Sequence, residues 1–347
     1  MNAFSFQGKI IKQIYRINIT SQKLFEKYPS IWSDEYKREM FEISCPKGSV
    51  HSGELDITRW RALKIPDRLS LESHNIEVVV HHGPFQYKPT DGNNTVEWYL
   101  NFADGDLFFH YGSKLMAQDE HQVAEHPILA SVKEMLEELA TENSDYDPCT
   151  RDYTNLSPNP PTPVLIMGAE RRLNINLTNN TEQGRPNGLY GNCFREAPWG
   201  IVKTAVVVLS PPTISNIIAM EAPSGERGVY TFEQITDAYQ TAFTAFLAAK
   251  GESGKSLGQD TKTIINTGDW GTGAYGGNKV LMATIQILAA IFAQIDQVNF
   301  YTAGYKLIEQ AKNNVAELLF EEQIIVIPNV LHSLFNMGFQ WGVSDGN

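Results

Sequence analysis

The run Thr263-Ile-Ile-Asn-Thr-Gly-Asp-Trp-Gly-Thr-Gly-Ala-Tyr-Gly-Gly277 limits the fold more than any other part of the chain. It reads as a short apolar strand, a glycine-dense turn and then a long apolar helix from about Gly277 to Ala293. A strand that passes into a helix through glycines leaves amides at the helix N-terminus without intrahelical partners. Gly271, Gly273, Gly276 and Gly277 let the backbone approach a guest closely, and the positive end of the helix dipole favours an anion. A diphosphate is the natural guest. A tight turn alone needs one or two glycines, whereas five of the ten residues from Gly268 to Gly277 are glycine.

The rest of the chain supplies the sheet that such a turn requires. β-Rich runs occur at Ile76 to His81, Val96 to Phe102, Val164 to Met167, Thr204 to Leu209, Asn216 to Ala219, Thr263 to Asn266 and Val298 to Tyr301. Helical stripes lie between them, with Ile128, Val132, Met135 and Leu139 in one, Ile235, Tyr239, Ala242 and Phe246 in another, and Leu307, Ala311, Val315 and Leu318 in a third. Continuously apolar strands alternating with helices predict an α/β sandwich around a buried sheet. Residues 1 to about 70 lack a strong period and read as helices and loops around that core, and the Pro-rich stretch Ser157 to Pro163 reads as a loop or hinge.

The 28 basic against 40 acidic residues give a net charge of −12, which repels polyanions and argues against docking on nucleic acid. Cys45, Cys149 and Cys193 are odd in number and far apart, so neither a disulfide framework nor a zinc knuckle is indicated, and a reducing, cytoplasmic setting is expected. No run of about 18 uncharged apolar residues predicts a membrane span, and the first residues do not read as an export signal. The sequons Asn18-Ile-Thr20 and Asn93-Asn-Thr95 are then chance matches.

Several other motifs need weighing. The glycine run has neither the lysine of a Walker loop nor the spacing of a dinucleotide fingerprint. Ala249-Lys-Gly-Glu-Ser-Gly-Lys-Ser256 satisfies a relaxed P-loop pattern but follows a helix, so it reads as a loop at that helix's C-terminus. His121 and His126 are five apart and fall on different helix faces, which does not suit a shared metal, and no metal or other cofactor is expected. His81 and His82 sit at a strand end, either edging a cleft or merely exposed. Glu221, Glu226 and Arg227 follow a strand as a surface ion-pair set. The loop Asn187 to Gly200, with Tyr190, Phe194, Arg195 and Trp199, is either a lid or a packed Ω-loop.

Thr267-Gly-Asp-Trp-Gly-Thr-Gly-Ala-Tyr-Gly-Gly277 resembles the diphosphate loop of the poly(ADP-ribose) glycohydrolases, typically Thr-Gly-Asn-Trp-Gly-Cys-Gly-Ala-Phe-Gly-Gly. Upstream, Trp98-Tyr-Leu-Asn-Phe-Ala-Asp104 resembles the family's strand ending in Asp-Phe-Ala-Asn, and Ala117-Gln-Asp-Glu120 resembles its Gln-Glu-Glu signature. The likeness covers roughly residues 75 to 320. It implies a macrodomain-like three-layer sandwich with a mixed central sheet, comprising residues 73–347, with 1–72 as an N-terminal accessory segment. It also implies that Gly271, Thr272, Gly273, Ala274, Tyr275, Gly276 and Gly277 hold the diphosphate of an ADP-ribose-type ligand, with Tyr275 beside the ribose. By the same likeness Glu120 donates a proton to the leaving ribose oxygen, Asp119 places the ribose hydroxyls, and Gln118, Asn101 and Asp104 belong to the substrate site.

Glycosidic cleavage needs an acid for the leaving group and an activated water, and two adjacent carboxylates can supply both. Asp119 and Glu120 also fit the bland description of acidic first-turn residues. The family's three consecutive glycines before the acidic signature are missing: Gly105-Asp-Leu-Phe-Phe-His-Tyr-Gly112 carries two, separated, and Phe108, Phe109, His110 and Tyr111 either line the site or fill it. Two functions follow, a hydrolase acting on O-glycosidic bonds of poly(ADP-ribose) or ADP-ribosyl conjugates, or a non-catalytic module that binds ADP-ribose or a nucleotide diphosphate and has lost hydrolysis; the partner in either case is an ADP-ribose-type small molecule or an ADP-ribosylated protein.

Overall fold

The structure, a computed structural model, describes residues 3–6, 9–70, 76–87, 94–142, 161–224, 227–258, 260–320 and 324–346. Along the chain run β1 (Ala3–Phe6), β2 (Lys9–Thr20), α1 (Ser21–Lys27), α2 (Glu35–Ser44), β3 (Glu54–Trp60), β4 (Arg68–Ser70), β5 (Glu77–His81) and β6 (Thr95–Ala103). Next come α3 (Gln118–Glu125), α4 (Ile128–Glu142), β7 (Val164–Ile175), α5 (Asn192–Glu196), α6 (Trp199–Lys203), β8 (Val206–Glu221) and α7 (Phe232–Leu257). The chain continues with β9 (Lys262–Gly268), α8 (Lys279–Phe292), β10 (Gln297–Tyr301), α9 (Tyr305–Leu318), β11 (Ile324–Val326) and α10 (Ile327–Asn336).

Among the described residues one nine-stranded sheet runs in the order β1-β2-β3-β7-β8-β6-β9-β10-β5, and β4 pairs with β11 apart from it. From β8 to β5 all neighbours are parallel, and from β1 to β8 all are antiparallel, so the sheet is mixed. The two-residue alternation of a strand sorts side chains onto two faces. Trp98, Leu100, Ile218, Met220 and Ile265 pack beneath α7 and α8, whereas Tyr99, Ile217 and Ala219 pack against Ile128, Val132 and Leu136 of α4. Helices on both faces make three layers, the arrangement that buried parallel strands demand. Helix α8 is buried at every position from Val280 to Ala290. Each large apolar side chain buried in this way contributes roughly 1.5–3 kcal/mol.

The strand expected at Val164 to Met167 is the start of the longer β7, and the two expected at Thr204 to Leu209 and Asn216 to Ala219 are one strand, β8. Pro211 and Pro212 do not break it, because the register slips there: Leu173 faces Val208 while Arg171 faces Thr213. Pairing with β6 begins only at Asn216, so the absent proline N–H groups cost no ladder bonds. Residues 1–70 also depart from the expectation of helices and loops, since β1, β2 and β3 extend the sheet beyond β7. Charged residues that obscured the strand period are satisfied in place. Arg16 on β2 pairs with Asp56 and Glu252, and Arg59 Nε on β3 donates to Thr162 Oγ1.

Ala249 to Ser256 are the last turns of α7 and not a loop. Ser253 Oγ donates to Ala249 O at 2.8 Å and accepts from Trp98 Nε1 at 2.9 Å, while Glu252 pairs with Arg16 and Lys255. These contacts outweigh the roughly 1 kcal/mol that each of Gly251 and Gly254 costs inside a helix. Cys149, Glu226, Asn93 and residues 157–160 of the Pro-rich stretch lie outside the described residues; Pro163 leads directly into β7, its carbonyl accepting from Trp60 N. Among the described residues no helix is long and apolar enough to cross a membrane.

Helix α3 is moored to β7 by a buried ion pair. Arg171 Nε and Nη2 donate to Glu125 Oε2 and Oε1, each at 3.1 Å, and Ile175 N donates to Oε1 at 2.7 Å. Burial alone would raise the Glu125 carboxyl, but His121 and Arg171 outweigh it and hold the carboxyl at about 2. The folded value lies below the unfolded one, so this stability is complete above the ordinary glutamate range and is lost as pH falls toward 2. It amounts to about 3 kcal/mol. Glu125→Gln should therefore flatten the pH dependence of thermal unfolding between about pH 5 and 2. Arg171→Met, which strands the carboxylate, should cost about 3–5 kcal/mol at neutral pH in denaturant titrations.

Candidate active site

The site begins where two parallel strands part. β6 pairs with β9 only as far as Tyr99 opposite Asn266; beyond that β6 continues beside β8 to Ala103, and β9 beside β10 to Gly268. Splitting at the carboxyl ends of parallel strands opens a crevice, the usual ligand position in such sheets. The split leaves groups on β6 unpaired, and Gln118 takes them up. Its Nε2 donates to Leu100 O at 2.9 Å and its Oε1 accepts from Phe102 N at 2.7 Å. Gln118 opens α3, so the next two residues, Asp119 and Glu120, arrive at the mouth of the split.

Both carboxylates are buried, yet both line a cavity of about 430 Å³. Asp119 Oδ1 accepts from Asn101 Nδ2 at 2.9 Å, and Asn101 lies fully buried behind it. Glu120 Oε2 accepts from Ala117 N at 3.0 Å, so Glu120 does serve as an acidic first-turn residue while also facing the cavity. Burial, then the neighbouring Glu120 carboxylate, hold Asp119 well above the ordinary carboxylate range, against the opposing effects of Asn101 and Lys37. The Asp119 carboxyl thus holds its proton to higher pH than a free carboxyl does. Lys37, on α2, is itself buried and donates from Nζ to Tyr111 O at 2.8 Å. Desolvation lowers it to about 8, against the pull of Glu120, Asp34 and Asp119.

Across the cavity stands the glycine loop, with Gly271, Thr272, Gly273, Ala274 and Tyr275 in its wall. Gly271 (φ 71°) and Gly276 (φ 68°) are in the left-handed region, and the loop closes on itself through Gly277 N donating to Gly271 O at 2.9 Å. Trp270 is buried and ties the loop to β8 by donating from Nε1 to Met220 O at 3.1 Å. The helix beyond has two of its first amides already taken. Asn278 Oδ1 accepts from Val280 N and Leu281 N, each at 3.1 Å, so its side chain already caps α8. In the loop, the amides of Gly271, Gly273, Ala274 and Tyr275 have no hydrogen-bond partner among the described residues. Free N–H groups clustered on a glycine turn are the arrangement from which anion-binding nests are built. Gly276 and Gly277 do not line the cavity; they shape the loop from behind.

The bulky segment before α3 does not fill this space. Phe108 is buried with φ 56°, taking up with strain the conformation a glycine takes freely. Tyr111 turns into the interior, donates to Glu134 Oε1 at 2.6 Å and meets Trp32 edge-on. Phe109 points outward, and of the four only His110 reaches the cavity wall. Tyr275 is half-buried, and its hydroxyl donates to Asp104 Oδ2 at 3.2 Å. In the loop Asn187 to Gly200, Tyr190 reaches the cavity while Phe194 is buried and Trp199 packs on Tyr36. His81 stacks on Tyr301, 4.8 Å between centroids. His126 donates from Nδ1 to Gln122 O, and burial lowers it to about 3.

A second hollow of about 350 Å³ adjoins the first and shares Phe102, Gln118, Tyr190 and Asp269 with it. Its walls include Phe85, Tyr87 and Tyr301. Three further residues of the site were not anticipated. Lys279, the only lysine or arginine among the described residues lining the first cavity, is paired with Asp269 at 2.7 Å, and its place in the first turn after an anion loop was a usable signal. Lys37 and Asp345 arrive from distant parts of the chain with no local signal.

Fold and site together define an α/β protein in which a glycine loop and a buried carboxylate pair face one another in a single crevice. Residues 209–310 match the family model of the poly(ADP-ribose) glycohydrolases, which has the Macro domain fold. No curated protein matches the chain. Among solved structures the chain is similar to a poly(ADP-ribose) glycohydrolase from Thermomonospora curvata, at 15% identity over 81% of this chain and 97% of that one, with a TM-score of 0.44. It is similar also to the Deinococcus radiodurans enzyme in complex with ADP-ribose, at 13% identity over 65% and 76%, with a TM-score of 0.37. An Oceanobacillus iheyensis macrodomain gives 14% identity over 72% and 97%, with a TM-score of 0.37.

The loop's shape rests on Gly271, where an added Cβ would stand 2.4 Å from Ala222 Cβ at a φ unsuited to side chains. Gly271→Ala should lower stability by about 1–3 kcal/mol through strain and loop displacement. Gly200→Ala, in open space on α6, should leave the melting temperature unchanged or raised. Differential scanning calorimetry of the two variants makes the comparison.

Proposed function

We propose that the chain binds an ADP-ribose-type ligand and hydrolyses an O-glycosidic bond to its ribose, in poly(ADP-ribose) or an ADP-ribosyl conjugate. The observation that carries this reading is the meeting, in one cavity, of four unpartnered loop amides and a buried carboxylate pair that keeps a proton. The diphosphate lies on the amides of Gly271 to Tyr275. One ribose then faces Asp119 and Glu120, and the other, with its base, extends into the aromatic hollow, where a purine stacks favourably. The family match over residues 209–310, which span the glycine loop, supports the same reading.

In this mechanism Glu120 delivers the pair's proton to the departing oxygen as the bond to the anomeric carbon breaks. Water attacks that carbon and gives up its proton to the carboxylate, restoring the pair. Asp119, oriented by Asn101, holds the ribose hydroxyls; Gln118 and Asp104 border the sugar, and Tyr275 packs beside it. Residues 73–347 form the macrodomain-like body, and 1–72 serve as an accessory segment that contributes Lys37. A cytoplasmic setting suits the free thiols of Cys45 and Cys193. The partner is a free ADP-ribose-type molecule or an ADP-ribosylated protein, and the negative charge disfavours nucleic acid. A second reading, binding without hydrolysis, draws support from the engagement of Glu120 Oε2 by the Ala117 amide.

Glu120→Gln should slow release of ADP-ribose from polymer or O-linked conjugate by about a hundredfold or more, while calorimetric affinity for ADP-ribose barely changes. Undiminished release would remove Glu120 from the mechanism, a wild type that binds without releasing would favour the second reading, and a wild type that gives no heat with ADP-ribose would end both. Because the mechanism uses a carboxyl proton and Asp119 is raised, release should persist above the ordinary carboxylate range and fall as pH rises through the raised value of Asp119. Asp119→Asn should abolish or shift that alkaline limb of the pH profile.

A further inference from the structure

Residues Trp341 to Gly346 lie across the glycine loop as a strap. Trp341 anchors it, stacked on Tyr230 with centroids 4.1 Å apart and ring planes 8° from parallel, its amide donating to Gly228 O at 2.8 Å. Gly342 N then donates to Gly276 O at 2.8 Å, and Asp345 N to Gly273 O at 3.3 Å. At the far side Asn192 Nδ2 donates to Gly346 O at 3.2 Å, joining the strap to α5. The strap bonds to carbonyls of the loop and leaves its amides alone. Beyond Trp341 its residues are exposed, Val343 to 90%, so little apolar burial holds it down and it can open at low cost.

One side chain of the strap turns into the site. The Asp345 carboxyl lines the same cavity as Asp119, Glu120 and Lys279, with Oδ2 only 3.1 Å from where a Cβ on Gly273 would stand. Its charge also reaches Tyr190 on the opposite rim, whose hydroxyl is raised by desolvation and then by Asp345. The cavity already holds Asp104, Asp119, Glu120 and Asp269, and its lysine is committed to Asp269. A diphosphate arriving at Gly273 therefore meets one more like charge at contact distance, presented by the segment lying across the loop.

We propose that the strap is an internal competitor: Asp345 stands at the phosphate position of the free protein, and an anionic ligand must displace it to reach the loop amides. This rests on the reading of the loop as a diphosphate site. The strap makes the free site closed to weak anions and opens on ligands whose sugar and base contacts add to those of the phosphates.

Calorimetric titrations of the full chain and of Asp345→Asn, each with ADP-ribose and separately with inorganic pyrophosphate, test it. Removing a like charge in partly solvated surroundings should tighten both probes about tenfold at low ionic strength, with the gain shrinking as salt approaches about 1 M. In the wild type, saturating ADP-ribose should speed hydrogen exchange at the Gly342 and Asp345 amides while slowing it at Gly271 to Tyr275. Tighter pyrophosphate in Asp345→Asn with no ADP-ribose binding by either protein would uphold the strap and reject the proposed ligand. Equal affinities for both probes, or weaker binding by Asp345→Asn, would overturn the strap and leave the ADP-ribose reading standing. No binding of either probe by either protein would overturn both.

Discussion

The side-chain amide of Gln118 is the bracket on which the site depends. Where β6 and β9 separate, the interior would hold an unpaired amide on Phe102 and a carbonyl on Leu100 left with only the long contact from Gln122 Nε2 at 3.4 Å, and both are costly to bury poorly partnered. One primary amide meets both, in the geometry of a missing strand neighbour. The bracket fixes the first residue of α3 against the sheet, and the Glu125 and Arg171 pair fixes the last turn against β7. A short helix held at both ends in this way cannot shift its carboxylates relative to the strand ends. The other wall has its own fixture in Trp270, whose indole bonds β8 from within the glycine loop.

Charge inside the cavity is balanced by unequal means on its two sides. Asp119 has little water and an adjacent carboxylate, so a retained proton is the cheapest relief. Beneath it Lys37 supplies a cation from the N-terminal segment, its amine held by the carbonyl of Tyr111. On the loop side Lys279 neutralises Asp269. The result is a site with a raised carboxyl on one wall and unpaired loop amides on the other. Separate placement of these two capacities, a few residues from each strand end, is what the parting of β6 and β9 makes possible.

Features written locally were legible in the sequence. The strand, glycine turn and apolar helix of 263–293 needed no information from elsewhere, and neither did the central strands or the four long helical stripes. What escaped reading depends on partners distant in the chain. The charges of Arg16 and Arg59 broke the strand period of residues 1–70, and the partners that satisfy them, Glu252 and Thr162, lie far along the chain. The two glycines in Ala249 to Ser256 looked like a helix end because the contacts that keep them helical come from Trp98 and Arg16. Phe108 in the left-handed region shows that a residue type is only a statement of preference: packing of its ring in the core overrides the backbone strain. Asn278 was a local signal passed over, an Asx residue at the start of a helix, and it moved the candidate anion site from the helix to the loop before it.

The sheet order has a consequence for how the chain comes into being. β6 is enclosed by β8 and β9, whose residues follow it by more than a hundred positions, so on a ribosome it emerges with both edges open. An apolar strand in that condition is a template for pairing with other chains until its true neighbours arrive. The crevice likewise is not complete until late segments follow, because its walls draw on Glu120, Gly273 and Asp345 in turn. Nascent chains should need protection until β8 and β9 have emerged, and a fragment ending before β9 should be a candidate for holding by chaperones.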